Sequence, residues 1–449
     1  MLLSKRLFQS PLNNLIIWRY GKMEKEIEVR LRREYIPDGV KGRPADFWLL
    51  YDSNINQDRF IGDPQIVRSL DSIFLENKER DKKMAEHLTM CGILSEKHRV
   101  RSYWLSSVKN ALSAPVKLFF NPSGKCPNKC LTCFAQDRKK CHLDNNTARR
   151  AMKQITEMPI FWMNLGGCEL SYYPLYFEFA EQGLKHGIHV TTAISGTGLT
   201  ENWAKKAKDF GIKIKVSLDG PKEINDIQRP NTYEAAIRAI ELFRDISYPV
   251  RINMVHTRLN NSEKVIDEMF EIVKKHGAAG IDLSLCRPKG GAIDNDLMIS
   301  FGDYQNGKVK SVVDRLLNHP DVKEGGIKVW INKNQRTLDR LDAKPCQALN
   351  IHCNGGRYSM GINPDGIIDA CIFLPPEYIP KANINTPELF TNPSFILDIW
   401  RRDKIFKKVR TYTKEKLCIR CQKKRIEFVR GCKACAAYYG DIDPLTLLH

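Results

Sequence analysis

The sequence predicts an α/β protein: a partial (β/α)6 TIM-like barrel with a small N-terminal α+β winged-helix-like unit and a Cys-rich, metal-bound C-terminal domain. Three observations predict it. Between residues 115 and 287, six short apolar segments alternate with amphipathic helical segments. Strands that are apolar on both faces, with helices between them, form a parallel sheet covered by helices. Polar and glycine-rich residues fall at the C-terminal ends of those strands, where such barrels carry their chemistry. Finally, 11 of the 14 cysteines bunch at metal-ligand intervals, after the first strand and again from Cys346 onward, while Cys91, Cys168 and Cys286 stand alone.

The elements follow in chain order. Residues 1–23 hold Lys5, Arg6, Arg19 and Lys22 and no acidic residue, whereas Met23 opens a segment of different character. They fit a basic N-terminal arm, a transit peptide or an over-long start, with a disordered arm or an over-long start preferred. Residues 24–112 form the winged-helix-like unit. Glu26–Leu31 alternates Ile27, Val29 and Leu31 with charged residues, a half-buried strand, and Phe47–Tyr51 is a second. Helical patterns follow over 63–77 and 78–94. Such modules bind DNA or capture peptides along an exposed strand.

The barrel with its linker spans 113–340. Its strands are Val116–Phe120, Phe161–Leu165, Ile188–Ile194, Ile212–Leu218, Val250–Val255 and Ile281–Leu285. Helices are expected at Asn202–Asp209, Tyr233–Ile246 and Glu263–His276, and the linker carries one at Val309–Leu317. Residues 341–449 show weak periodicity and turns such as Asn363-Pro-Asp-Gly366, so this domain relies on metal to fold.

Composition narrows the class. An apolar share of 42% and a charged share of 27% describe a globular chain and exclude a disordered one. No apolar run reaches the ~18 residues of a membrane span. Lys plus Arg is 71 and Asp plus Glu 52, a net charge of 71 − 52 = +19. That excess suits an acidic partner or a well-solvated surface. No nucleic-acid module signature accompanies it, so charge alone favours neither nucleic acid nor an acidic peptide. Bunched cysteines in a long chain point to a reducing cytoplasm.

The strongest chemical signal is Cys126-Pro-Asn-Lys-Cys130-Leu-Thr-Cys133-Phe134, directly after the first barrel strand. Three thiolates at this spacing can hold three irons of a [4Fe–4S] cluster and leave the fourth iron open, as a reactive cluster requires. A zinc knuckle more often pairs two Cys-x2-Cys arms, and Cys141 could complete an ordinary four-cysteine cluster.

With this loop the sequence resembles the radical SAM enzymes, whose signature is a three-cysteine loop after the first strand of a partial barrel. Leu165-Gly166-Gly167-Cys168-Glu169 is similar to the Gly-Gly-Glu motif that binds the amino group of S-adenosylmethionine, with Cys168 interrupting it. Ala193-Ile194-Ser195-Gly196-Thr197 resembles the polar turn after strand three. Ser217-Leu218-Asp219-Gly220, with Arg229, resembles the strand-four block around ribose and carboxylate. The resemblance implies that Gly166, Gly167, Glu169, Ser195, Ser217, Asp219 and Arg229 bind this cofactor. It also implies reductive cleavage to a 5′-deoxyadenosyl radical that abstracts hydrogen from substrate. Cys286, closing strand six, is a candidate hydrogen donor or substrate contact, against core packing.

The C-terminal cysteines resemble a SPASM domain, which carries one or two auxiliary iron–sulfur clusters. By that resemblance Cys346, Cys353, Cys371 and Cys432 complete the first, and Cys418, Cys421 and Cys435 serve the second. The chain departs from the pattern: Phe428 stands where a cysteine belongs, and no cysteine follows Asp443-Pro444. A rival grouping takes Cys418, Cys421, Cys432 and Cys435 as one tetrathiolate site for zinc or iron, leaving Cys346, Cys353 and Cys371 as a three-ligand cluster.

The resemblance implies a peptide or protein substrate. The expected activity is modification of a ribosomally made precursor peptide by crosslinking, epimerisation or oxidation, with an acidic leader suiting a basic enzyme. An electron donor such as a flavodoxin or ferredoxin is implied. The alternatives are a sulfatase-maturase type of protein or metalloenzyme maturase and, from another class, a redox-sensing nucleic-acid-binding protein.

Overall fold

A computed structural model describes residues 27–40, 43–52, 57–76, 78–94, 98–108, 111–138, 140–331, 355–374, 381–411 and 438. The 1–23 arm and Cys346, Cys353, Cys418, Cys421, Cys432 and Cys435 lie outside the described residues. Among the described residues the chain builds two sheets, one of four strands and one of nine.

The first sheet holds β1 (Ile27–Val40), β2 (Arg43–Asp52), β3 (Gln57–Ile61) and β4 (His98–Trp104), in the order β3-β2-β1-β4. β1 pairs antiparallel with β2 and parallel with β4. Helices α1 (Pro64–Leu75) and α2 (Arg80–Met90) cover one face, packing Val67, Leu70, Met84 and Leu88 against Val29, Leu31, Trp48 and Leu50. Asp63 caps α1 by accepting from the N–H groups of Gln65 and Ile66. Two strands go beyond those expected here. β3 is short and polar, and β4 alternates arginine with buried Val100 and Ser102, patterns too weak to stand out in one sequence.

The other face of this sheet meets the barrel. Arg30 is fully buried and donates to the carbonyls of Met158, Ile160, Thr156 and His186 at 2.6–3.2 Å. Arg32 donates to Pro115 and Pro159 O and pairs with buried Glu34 at 2.5 Å. Tyr51 stacks on Phe161 and lies against Trp162 and His189. These partners precede or begin the first three barrel strands, so the first sheet packs against the end of those strands opposite their chemistry.

The second sheet carries six parallel strands, β5 (Lys117–Phe120), β6 (Trp162–Leu165), β7 (His189–Ile194), β8 (Lys213–Ser217), β9 (Arg251–His256) and β10 (Gly280–Leu285). All six match the segments expected from the sequence. β11 (Lys328–Ile331) extends one edge in parallel. On the other edge β12 (Ser359–Ile362) pairs parallel with β5, and β13 (Ile368–Asp369) turns back along it. The sheet is therefore an open curved wall. Helices α3 (Asn145–Glu157), α4 (Tyr176–Lys185), α5 (Glu201–Asp209), α7 (Tyr233–Asp245) and α8 (Glu263–His276) cover its outside, whereas α6 (Lys222–Gln228) lies beside the cysteine loop. Their apolar stripes and the outward strand residues make one continuous core. Gly277 ends α8 at φ +75, the left-handed position glycine accepts most readily. Among the described residues, no helix is long and apolar enough to cross a membrane.

Candidate functional site

The three-cysteine loop leaves β5 at Asn121 and is gripped from several sides. Asn121 N–H donates to Ile362 O of β12 at 2.9 Å, and Leu131 N–H to Gln228 O at 2.8 Å. Behind the loop lies the turn after β10, leading into the short helix α9 (Gly291–Asp294). Gly291 N–H donates to Cys133 O at 2.9 Å and Asn295 Nδ2 to Leu131 O at 3.1 Å. A Cβ on Gly291 would lie 2.2 Å from Leu131 O, and one on Gly290 2.6 Å from Cys133 O. Only a glycine pair permits this approach.

The sulfurs sit among donors. Backbone N–H groups of Asn128 and Glu169 point at Cys126, whose thiol burial pushes up while those two donors pull it down. Arg229 Nη1 stands 3.8 Å from Cys130 Sγ. Among the described residues no three Cys, His, Asp or Glu side chains converge on one metal ion. A four-iron cluster spreads its thiolate ligands over separate irons, so a common centre is not required. Partly exposed thiols on one loop, with N–H donors and a guanidinium facing them, suit an anionic iron–sulfur cluster.

Two polar networks flank the loop. In the first, Glu169 is 3% exposed and its Oε2 accepts from Ser195 N–H at 2.7 Å and Ser195 Oγ–H at 2.6 Å. Burial raises its pKa, with the Ser195 donors opposing. Asn128, inside the cysteine loop, donates from Nδ2 to Ser195 Oγ at 2.8 Å and accepts from Thr197 Oγ1 at 3.0 Å. The Gly166-Gly167 turn lies over Asn121: Gly167 has φ +93, and a Cβ there would meet Ser123 O at 2.6 Å. Cys168 faces Ser123 and Cys126, its thiol raised to about 12 by burial and then by Cys126.

In the second network Asp219 is fully buried. Its Oδ2 accepts from Arg229 Nε at 2.6 Å and its Oδ1 from Val255 N–H at 2.7 Å. Its backbone is held by Asn225 Oδ1 and Asn260 Nδ2. Burial works against the Arg229 charge, but Asp219 and Cys130 outweigh it and keep the guanidinium protonated. Ser217 ends β8 beside them, 7% exposed.

The structure thus gathers Cys126, Cys130, Cys133, Gly166, Gly167, Glu169, Ser195, Ser217, Asp219 and Arg229 at one end of the sheet. Cys286 lies at the same end, 5% exposed and packed with Ala292, Met298 and Val255. Burial pushes its thiol up to about 12. Cys371 follows β13, and Phe373 packs edge-on to Phe134 with ring centres 5.9 Å apart. Arg138 of the cysteine loop ties the same hairpin, 2.9 Å from Asp365 and 3.7 Å from Asp369. Asn128, Gln228, Asn260 and Asn295 escaped sequence reasoning. The one available signal was the Asn128 position inside the Cys-x3-Cys spacing.

The sequence matches the model of the Radical SAM superfamily over residues 120–277. It is 22% identical over 334 residues to the mycofactocin maturase MftC of Mycobacterium tuberculosis, covering 71% of this chain and 78% of that protein. It is 24% identical over 183 residues to the cysteine-type anaerobic sulfatase-maturating enzyme of Clostridium perfringens, over 36% of this chain and 49% of that one. Among solved structures, Streptococcus suis SuiB bound to precursor peptide SuiA superposes with a TM-score of 0.61 at 14% identity, covering 92% of this chain and 98% of that chain. Native anSMEcpe with bound AdoMet superposes with a TM-score of 0.55 at 21% identity, covering 72% of this chain and 90% of that chain.

Proposed function

We propose that this chain, a radical SAM enzyme, abstracts hydrogen from a ribosomally made peptide and so crosslinks, epimerises or oxidises it. The observation that carries the peptide reading is the 92% coverage by the peptide-bound SuiB fold. An alignment that long takes in more than half of the N-terminal sheet unit as well as the barrel. A sulfatase-maturase type of activity is the second reading, favoured by the C. perfringens likeness.

When bound, the cluster and S-adenosylmethionine supply a carbon-centred radical that takes hydrogen from an unactivated C–H. In this reading Cys126, Cys130 and Cys133 hold the cluster. The Gly166-Gly167 turn and Glu169 receive the amino group of the cofactor. Ser195 donates two hydrogen bonds that favour the Glu169 carboxylate, opposing the burial that raises its pKa. Ser217, with Asp219 and Arg229, borders the ribose and carboxylate. Since Asp219 already binds Arg229 and Val255, it serves chiefly to aim Arg229. The packed wall of the sheet helps to exclude water from a reactive intermediate. Cys286, held as a neutral thiol, faces the substrate.

Cys371, with Cys346, Cys353, Cys418, Cys421, Cys432 and Cys435, belongs to one or two auxiliary iron–sulfur clusters, zinc being the other candidate for the last site. A flavodoxin or ferredoxin supplies electrons in a cytoplasmic setting.

The test uses the full-length, anaerobically reconstituted enzyme with S-adenosylmethionine, reductant and the small-peptide fraction of the native host. We expect 5′-deoxyadenosine together with a peptide whose mass, or solvent-deuterium content, changes. A Cys130→Ala control should yield neither. Turnover of S-adenosylmethionine with no peptide altered, and a folded protein altered instead, would transfer the assignment to the maturase reading.

A further inference from the structure

Barrel lumens are ordinarily packed with branched apolar side chains. Along β8, β9 and β10 the buried Ile214, Val216, Ile252, Met254, Ile281 and Leu283 belong to the apolar core. With period two, the alternate positions face the lumen. Apart from Val255 and Gly280 they are polar: Lys213, Lys215, Ser217, Arg251, Asn253, Asp282 and Ser284.

At the floor, two cations meet one carboxylate. Lys215 and Arg251 are direct register partners. Lys215 Nζ lies 2.5 Å from Asp282 Oδ2. The Arg251 guanidinium lies flat over Trp330 of β11, 3.6 Å from the ring centre, and makes no hydrogen bond or ion pair among the described residues. It reaches Trp330 across Gly280, its register partner on the other side. A Cβ at Gly280 would stand 3.1 Å from the Trp330 ring, so the missing side chain opens the path. Burial and the Arg251 charge together lower Lys213, two residues before Lys215, to about 8. A guanidinium held planar on an aromatic ring, with its donors unused, is organised to take a carboxylate in bidentate fashion.

We propose that Arg251 and Lys215 form a carboxylate-binding floor that anchors the substrate peptide through its C-terminus or an acidic side chain. This rests on the peptide reading above. Arg251 and Val255 are four residues apart on β9, about 13 Å at about 3.3 Å per residue. Val255 N–H binds Asp219, so that rung marks the level of the cofactor network. About four extended residues span the interval. A C-terminal carboxylate on the floor therefore places the reacting C–H about three to five residues upstream of the terminus.

The experiment titrates acetyl-tetra-alanine acid, its C-terminal amide, and an amidated peptide with one glutamate into reconstituted, S-adenosylmethionine-loaded enzyme, with propionate as a minimal carboxylate. We expect the amide to bind at least ten-fold more weakly than one of the two acidic peptides; which one is preferred identifies the carboxylate's source. Arg251→Leu should erase the difference, Arg251→Lys should keep part of it, and Asp282→Asn should widen it. Iron per chain equal to wild type shows that each variant has folded. Equal binding of all three peptides and propionate, or a preference that survives Arg251→Leu, overturns the proposal. Arg251-dependent binding of propionate without binding of any peptide would support the carboxylate site while removing the peptide reading.

Discussion

Arg229 joins two parts of the site: its Nε lies 2.6 Å from Asp219 Oδ2 and its Nη1 3.8 Å from Cys130 Sγ. One guanidinium thus couples the fully buried β8–β9 carboxylate to a partly exposed thiol of the metal-ligand loop. Arg229→Ala leaves Asp219 buried and unpaired, which costs about 3–5 kcal/mol. Denaturant melts should show that loss, and iron content after reconstitution should fall with it. Arg229→Lys keeps a charge but cannot reach both partners at once, so its deficit should be smaller in stability than in iron retention.

Gly291→Ala tests the clasp behind the cysteine loop. Its Cβ would press on Leu131 O from 2.2 Å, and the backbone on both sides leaves little room to yield. We expect iron to be lost to a chelator about ten-fold faster than from wild type, while far-ultraviolet circular dichroism stays unchanged. Iron loss at the wild-type rate would show that the loop holds its shape without this contact.

Arg30→Ala tests the junction between the two sheets. Four carbonyls lose this donor together, Met158 O keeping the Ile160 N–H, and each buried group left unsatisfied costs about 1–3 kcal/mol. The expected destabilisation is about 4 kcal/mol in equilibrium unfolding, with faster proteolysis near residues 156–160. Arg30→Lys should recover little, because an ammonium cannot fan out to four acceptors.

Asp369 carries a pH dependence. Burial raises it from 3.8 to about 6, with Arg138 and Asn363 opposing. A carboxyl whose folded pKa exceeds its unfolded value favours the protonated folded state. Its stabilising contribution is therefore complete below pH 3.8 and disappears as pH rises through 6. The swing is about 3 kcal/mol. Asp369→Asn should flatten the stability–pH curve between those limits, measured against wild type by urea unfolding.

Cys286 has a chemical test. As a buried neutral thiol it should resist alkylation at pH 8 in the native protein. If it returns hydrogen to the peptide, turnover in deuterated water labels the product, and Cys286→Ala abolishes that label while 5′-deoxyadenosine still forms. A label that persists in Cys286→Ala would reduce this residue to packing.

The elements and the cysteine loop were legible in the sequence because each is written in local chemistry. Apolar runs of four to seven residues separated by amphipathic stretches can bury themselves only as a helix-covered parallel sheet. Cys126, Cys130 and Cys133 stand close enough in the chain that no fold is needed to bring them together. Glu169, Ser195, Asp219 and Arg229 could be named because each lies just beyond a strand or on the helix that follows. Tertiary structure decided the rest. That Asn128 locks Ser195, that Asp219 is committed to Arg229 and Val255, and that Gly290-Gly291 clasps the cysteine loop are contacts between distant segments. Their partners are ordinary residues with no spacing to betray them. The same holds for Arg30 and Arg251. In sequence each is one arginine in a strand; in the fold one is buried against carbonyls and the other lies flat on an aromatic ring. Local pattern determines which way a side chain faces, but only packing determines what it meets there.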